Sequence, residues 1–208
     1  MTLSTDAFDA LLGEVRQFIT EHCIPLEQQI DREDRIPEPL VERMRALGLF
    51  GHSIPRAYGG AGLNTEQLAR VNIAVSQAAT TFRARFGGNT GIASESLVVD
   101  GTPQQKQAWL PRLASGEVTG CFALTEPNAG SDATALQTVA ERDGDDYVLT
   151  GTKCFITNAP IAGLFTVFAR TEAGSTGAKG ISAFLVERDE LPTDGQRVSR
   201  KVGGETGR

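Results

Sequence analysis

Apolar positions recur at three- and four-residue spacing through the first half of the chain and at alternate positions through the second. Phe8, Leu11, Leu12, Val15, Phe18 and Ile19 share one helical face behind a cap at Thr5, and Pro25 ends or bends that helix. A second helix begins at Pro37-Glu38-Pro39, aligns Leu40, Met44 and Leu47, and stops at Gly48. Gly51 to Gly62 reads as a loop. A third helix follows Asn64-Thr65 and presents Leu68, Val71 and Val75. Gly87 to Gly91 breaks the pattern, and Ile92 to Val99 resumes it. Thr102-Pro103-Gln104-Gln105 opens a further helix as a capping box, with Trp109, Leu110 and Leu113 facing inward.

Past Gly116-Glu117 the period becomes two. Gln137 to Arg142 and Tyr147 to Thr150 flank Asp143-Gly144-Asp145-Asp146, a hairpin signal. Lys153 to Thr157, Phe165 to Arg170 and Ile181 to Val186 read as further strands. Short strands joined by turns predict an antiparallel sheet or barrel. The expected fold class is α+β multidomain: an all-α helical domain over residues 1–118, then an antiparallel β-barrel domain over residues 119–208. The last residues, Val202 to Arg208, bring no closing strand or helix. The barrel is therefore expected to be incomplete, or completed by another chain.

Composition removes several classes of function. The 208 residues carry a net charge of −6, so no basic field exists to attract nucleic acid or an anionic membrane. No apolar stretch is long enough to span a bilayer, and the acidic N-terminus is unlike a secretory signal. The three cysteines, Cys23, Cys121 and Cys154, are far apart and read as reduced thiols in a cytoplasmic setting. No His/Cys cluster has metal-ligand spacing, so no metal is expected. His22 and His52 read as ordinary side chains.

The chemistry concentrates in Ala123-Leu-Thr-Glu-Pro-Asn-Ala-Gly-Ser-Asp-Ala-Thr-Ala135. A tight bend here offers backbone N–H groups and small hydroxyls, the donors that a phosphate or a flat ring with polar edges requires. Taken alone, the segment is also a Pro/Asn/Gly turn between two strands.

This run resembles the signature of the acyl-CoA dehydrogenases, which hold FAD and an acyl thioester. Pro55-Arg-Ala-Tyr-Gly-Gly-Ala-Gly-Leu63 and Gly101 to Glu117 are similar to earlier family segments. Gly144-Asp-Asp-Tyr-Val-Leu-Thr-Gly-Thr-Lys-Cys-Phe-Ile-Thr-Asn158 resembles a second signature, and Lys179 to Glu187 a later strand. The resemblance spans nearly the whole chain in the family's order. It implies a helical domain followed by a β-barrel, with the family's C-terminal helical bundle beyond Arg208.

By that resemblance Phe122, Ala123, Leu124, Thr125, Gly130 and Ser131 line the flavin. Thr125 bonds the isoalloxazine edge, and Ser131 lies near the pyrophosphate and the CoA portion of the substrate. Phe155, Ile156 and Thr157 face the ring from a neighbouring strand. Phe155 stands where Trp is usual and offers no indole N–H. The implied reaction is α,β-dehydrogenation of an acyl-CoA, with an electron-accepting flavoprotein as partner and a homotetramer or dimer as assembly. Relatives on the same scaffold leave open an acyl-carrier-protein dehydrogenase, an acyl oxidase or a nitroalkane oxidase. A non-catalytic subunit contributing half a flavin site is the reading from another class.

The family's catalytic glutamate lies downstream of this chain, so no catalytic residue is assigned. Glu126, followed by Pro127, reads as fixing a turn, and Asp132 as capping one. Gly174 to Gly180 lacks the spacing of a phosphate loop and reads as a hairpin tip. Gly60-Ala61-Gly62 follows no strand and reads as a turn rather than a dinucleotide fingerprint. Cys121 and Cys154 read as packing residues.

Overall fold

The structure, a computed structural model, describes residues 3–191 and the backbone of residues 198–201. The ending from Val202 to Arg208 lies outside the described residues.

Helix α1 (Thr5–Phe18) buries Phe8, Leu12, Val15 and Phe18, as the spacing predicts. Its cap is Ser4 rather than Thr5: the Ser4 hydroxyl accepts from the Ala7 amide at 3.4 Å. Pro25 bends the path but does not end it. A π turn (Ile19–Cys23) and a 3₁₀ turn (Ile24–Leu26) lead into α2 (Glu27–Glu33). Pro25 sits at the start of the 3₁₀ turn, where a missing N–H is tolerated. Helix α3 (Glu38–Ala46) ends before Gly48.

Helix α4 (Thr65–Val75) opens with a capping box between Asn64 and Gln67. The third helix of the sequence reading is in fact two. Helix α5 (Thr80–Gly87) is separate, and the Glu27 carboxylate receives the Ala79 amide at the break, at 2.6 Å. Helix α6 (Ile92–Asp100) and helix α7 (Pro103–Ala114) follow, the latter with the predicted Thr102/Gln105 capping box. In the loop between α3 and α4, a Cβ on Gly60 would lie 2.0 Å from the Ile54 carbonyl oxygen, so only glycine fits.

The strands are β1 (Gly120–Ala123), β2 (Val139–Asp143), β3 (Asp146–Thr150), β4 (Leu164–Arg170), β5 (Ile181–Glu187) and β6 (Val198–Lys201). They form one mixed sheet, which corrects the antiparallel barrel of the sequence reading. Strand β4 is its centre. It pairs antiparallel with β5 from Leu164↔Glu187 to Arg170↔Ile181, and parallel with β1 from Gly120↔Leu164 to Ala123↔Val167. Strands β2 and β3 form the expected hairpin around Gly144 (φ 62°). Strand β6 joins β3 to β5. Between β2 and β4 a single parallel pair, Val139↔Arg170, spans the join, so the sheet is not a closed barrel. Alternating apolar residues identify strands but not the direction of their partners. The long excursion between β1 and β4 is what permits a parallel pair.

Lys153 to Thr157 is not a strand. The segment is a loop: Phe155 within it (φ 56°) and Asn158 just after it (φ 65°) adopt left-handed backbone conformations, incompatible with an extended ladder.

One apolar cluster fills the helical half around Phe8, Met44, Phe50, Val75 and Phe82. A second joins α6 and α7 to the sheet through Leu97, Leu110, Leu113, Leu164 and Leu185. Each such side chain contributes about 1.5–3 kcal/mol on burial. Between the halves lies buried Asn89. Its Nδ2 donates to the carbonyls of Leu113 and Val118 at 2.9 and 2.7 Å, and its Oδ1 accepts from the Gly120 amide at 2.8 Å. One side chain thus fixes the end of α7 against the start of β1.

Candidate functional site

The two signature segments leave the sheet at different points and meet outside it. After β1 the chain makes a tight turn, closed by mutual Glu126 and Ala129 backbone bonds of 3.1 Å each. The loop after β3 lies alongside, with the Cys154 amide donating to the Thr125 carbonyl at 3.0 Å. Asn158 anchors that loop to α5 through the Ala84 carbonyl, at 2.8 Å.

The predicted residues fall into two groups. Phe122 is half-buried and packs against Phe168 with ring centroids 4.8 Å apart and the rings tilted by 55°, while Ala123 is buried. Ala123 and Ile156 line a cavity of about 280 Å³ bounded also by Leu149, Phe165 and Val167. The Leu124 carbonyl accepts from Lys153 Nζ at 3.0 Å. The outward group is different. Thr125 is half-exposed, and Gly130, Ser131 and Thr157 are exposed. The Phe155 ring is 93% exposed, held out by the left-handed backbone beneath it. Among the described residues, the backbone N–H groups of Thr125, Gly130, Ser131, Phe155, Ile156 and Thr157 have no protein acceptor. The bare Phe155 ring therefore stands in the same loop as three of these donors, and the Cys154–Thr125 bond holds that loop to the segment carrying Thr125.

The charge beneath this surface was not legible as a site. Glu126 is 6% exposed and accepts four hydrogen bonds. They come from the Gln137 amide (2.6 Å), the Thr138 amide (3.0 Å), the Thr138 hydroxyl, and Lys153 Nζ (2.7 Å). Desolvation pushes its carboxyl up. The Lys153 ammonium, the Thr138 hydroxyl and the two amides outweigh that and bring it down to about 2. A carboxylate so fully engaged is no proton acceptor for a substrate. Asp132 is also occupied, receiving the Thr134 amide at 3.2 Å and the Thr134 hydroxyl at 2.7 Å. Both acids hold turns, as their sequence contexts predict.

The motifs set aside behave as turns. The Gly174–Gly180 tip directs the Ser175, Gly177 and Lys179 carbonyls at the Arg170 guanidinium, at 3.1–3.5 Å, an arrangement hostile to an anion. No group of three or more His, Cys, Asp or Glu side chains among the described residues is arranged to hold a metal. No helix among them is long and apolar enough to cross a membrane.

Two domain families match: acyl-CoA dehydrogenase, N-terminal domain, over residues 5–117, and acyl-CoA dehydrogenase, middle domain, over residues 121–207. The chain belongs to the acyl-CoA dehydrogenase family. It is 37% identical over 189 residues to the short-chain specific acyl-CoA dehydrogenase of Clostridium acetobutylicum, covering 91% of this chain and 50% of that protein. It is 41% identical over 196 residues to the acryloyl-CoA reductase (NADH) of Anaerotignum propionicum, covering 90% and 48%. The glutaryl-CoA dehydrogenase of Mycobacterium smegmatis, solved in complex with FADH2, superposes with a TM-score of 0.80 at 31% identity, covering 97% of this chain and 53% of that one. The chain spans about half the length of the curated relatives it matches.

Proposed function

We propose that this chain forms the flavin-gripping part of an acyl-CoA dehydrogenase, helical over residues 1–118 and β-rich over residues 119–208. The observation that carries the reading is the row of unpaired backbone donors beside the exposed Phe155 ring, built from two segments that a backbone bond holds together. Thr125, Phe155 and Thr157 would hold the isoalloxazine ring of FAD, with the backbone of Phe122 to Leu124 and of Ile156 behind them. Gly130 and Ser131 would hold the pyrophosphate. A Cβ on Gly130 would meet nothing within 4 Å, so this stretch is open to a ligand. Ser131 would also contact the CoA portion of the substrate. When bound, FAD supplies the ring that accepts a hydride from the β-carbon of the acyl thioester.

This chain's own part is to bind, orient and exclude water from one side of the ring. It contributes no catalytic base from Glu126 or Asp132. The whole protein would act on an acyl-CoA, pass electrons to a flavoprotein acceptor, work as a homo-oligomer and reside in the cytoplasm. The likeness to an acryloyl-CoA reductase supports a second reading, in which the same surface serves hydride delivery to an enoyl-CoA.

The test is titration of the purified protein with FAD, followed by flavin fluorescence and visible absorbance, then anaerobic addition of short, long and branched acyl-CoA thioesters. Quenched, stoichiometric flavin that bleaches with one thioester class supports dehydrogenation. Bleaching by NADH and recovery with an enoyl-CoA supports the reductase. A folded protein indifferent to FAD removes the flavin reading.

A further inference from the structure

We infer that Glu126 and Lys153 are positioning residues for the flavin surface: their ion pair fixes the register between the Thr125 segment and the Thr157 segment. The inference rests on the flavin reading above.

Neither segment belongs to a ladder. The first runs free between β1 and β2, the second between β3 and β4. Among the described residues, the hydrogen bonds that join them besides the Cys154–Thr125 backbone bond come from Lys153. Its Nζ bonds the Leu124 carbonyl at 3.0 Å and the Glu126 carboxylate at 2.7 Å, with the Lys153 and Glu126 side chains only 12% and 6% exposed. Through its other bonds Glu126 takes the amides of Gln137 and Thr138, just before β2 begins. One carboxylate therefore ties together the turn, the start of β2 and the neighbouring loop.

A buried pair of this kind is a poor source of net stability, because desolvation offsets the attraction, and packed apolar residues serve as well. What an apolar pair lacks is direction. Charged, hydrogen-bonded partners accept one alignment, so the donors of Thr125 and of Phe155 to Thr157 keep one spacing. The ring's grip depends on that spacing, while the sheet below does not.

The experiment compares wild type with Lys153→Met, Glu126→Gln, the double variant and Lys153→Arg. It measures FAD affinity by fluorescence quenching, thermal unfolding of the flavin-free protein, and amide hydrogen exchange. A control variant, Leu110→Ala, cuts into the core away from the site. The expected result is FAD affinity weakened at least about tenfold in either single variant, the scale of one lost charge-assisted bond. The double variant should be no worse than the singles, and Lys153→Arg should retain most of the affinity. Exchange should rise at the hydrogen-bonded amides that the pair holds, those of Glu126, Ala129, Gln137, Thr138 and Cys154, and not in β4 or β5. The inference is overturned if the single variants bind FAD as wild type does, if exchange in the two segments is unchanged, or if Leu110→Ala at matched stability loses as much affinity. Wild-type protein that takes up no FAD sinks the flavin reading itself, and the positioning role with it.

Discussion

Asn158 donates from its side chain to the carbonyl of Ala84, 74 residues earlier in the chain, at 2.8 Å. This bond fastens the loop carrying Phe155 and Thr157 to the end of α5, and so to the helical half. Asn158 sits at φ 65°, a conformation that glycine adopts freely. Asn158→Gly therefore removes the side-chain bond without straining the backbone. It should cost about 1 kcal/mol in a denaturant titration. Amide exchange at Ala162, whose N–H bonds the Asn158 carbonyl at 2.8 Å, should rise more than exchange in β4.

Asn89 is the stiffer joint. Replacing it with alanine strands the Gly120 amide and removes donors from the Leu113 and Val118 carbonyls, all in the interior. Asn89→Ala should lose roughly 3 kcal/mol, about 1 per bond. Unchanged melting would show that water replaces the amide there.

His52 is 2% exposed, and its Nε2 has no partner among the described residues. Burial pulls its pKa down from 6.5 to about 4, against a backbone bond at Leu47 that favours the charged form. The folded state resists protonation that the unfolded state accepts. Stability is thus unaffected above the unfolded pKa and falls as pH drops from 6.5 towards 4, by about 3 kcal/mol in total. His52→Asn, which cannot titrate, should flatten the stability profile over that window. Parallel profiles for the two proteins would overturn the assignment.

Cys23 and Cys121 are buried and their thiols are pushed up to about 12, chiefly by desolvation. Cys154 is only half-buried. Iodoacetamide at pH 8 should label native protein at Cys154 and reach all three cysteines only after denaturation, as peptide mass mapping would show. Rapid native labelling of Cys121 would mean that the sheet opens readily.

The features legible in the sequence are those decided within a few residues. The Thr102/Gln105 box, the stop before Gly48 and the Gly144 hairpin all formed as read, because their donors and acceptors are neighbours in the chain. Partner choice is different. Nothing in Gly120 to Ala123 announces a parallel mate at Leu164 to Val167. Lys153 to Thr157 has the Phe, Ile and Thr of a strand, yet its contacts are with distant groups, the Glu126 carboxylate and, through Asn158 just past its end, the Ala84 carbonyl. The Glu126–Lys153 pair spans a separation of 27 residues, and the residues flanking Glu126, Thr125 and Pro127, give no sign of its partner.

The parallel match of β1 with β4 also dictates an order of events during synthesis. Helices α1 and α4, which pack on each other, are both synthesised before β1. Strand β1 itself, whose described partner begins only at Leu164, must then wait with its edges bare. In the folded chain Gly120 of β1 lies against Leu113 of α7 and Ala93 of α6, both made before it. Slow elongation, or a chaperone that covers strand edges, should matter most for the yield of this protein between residues 123 and 170.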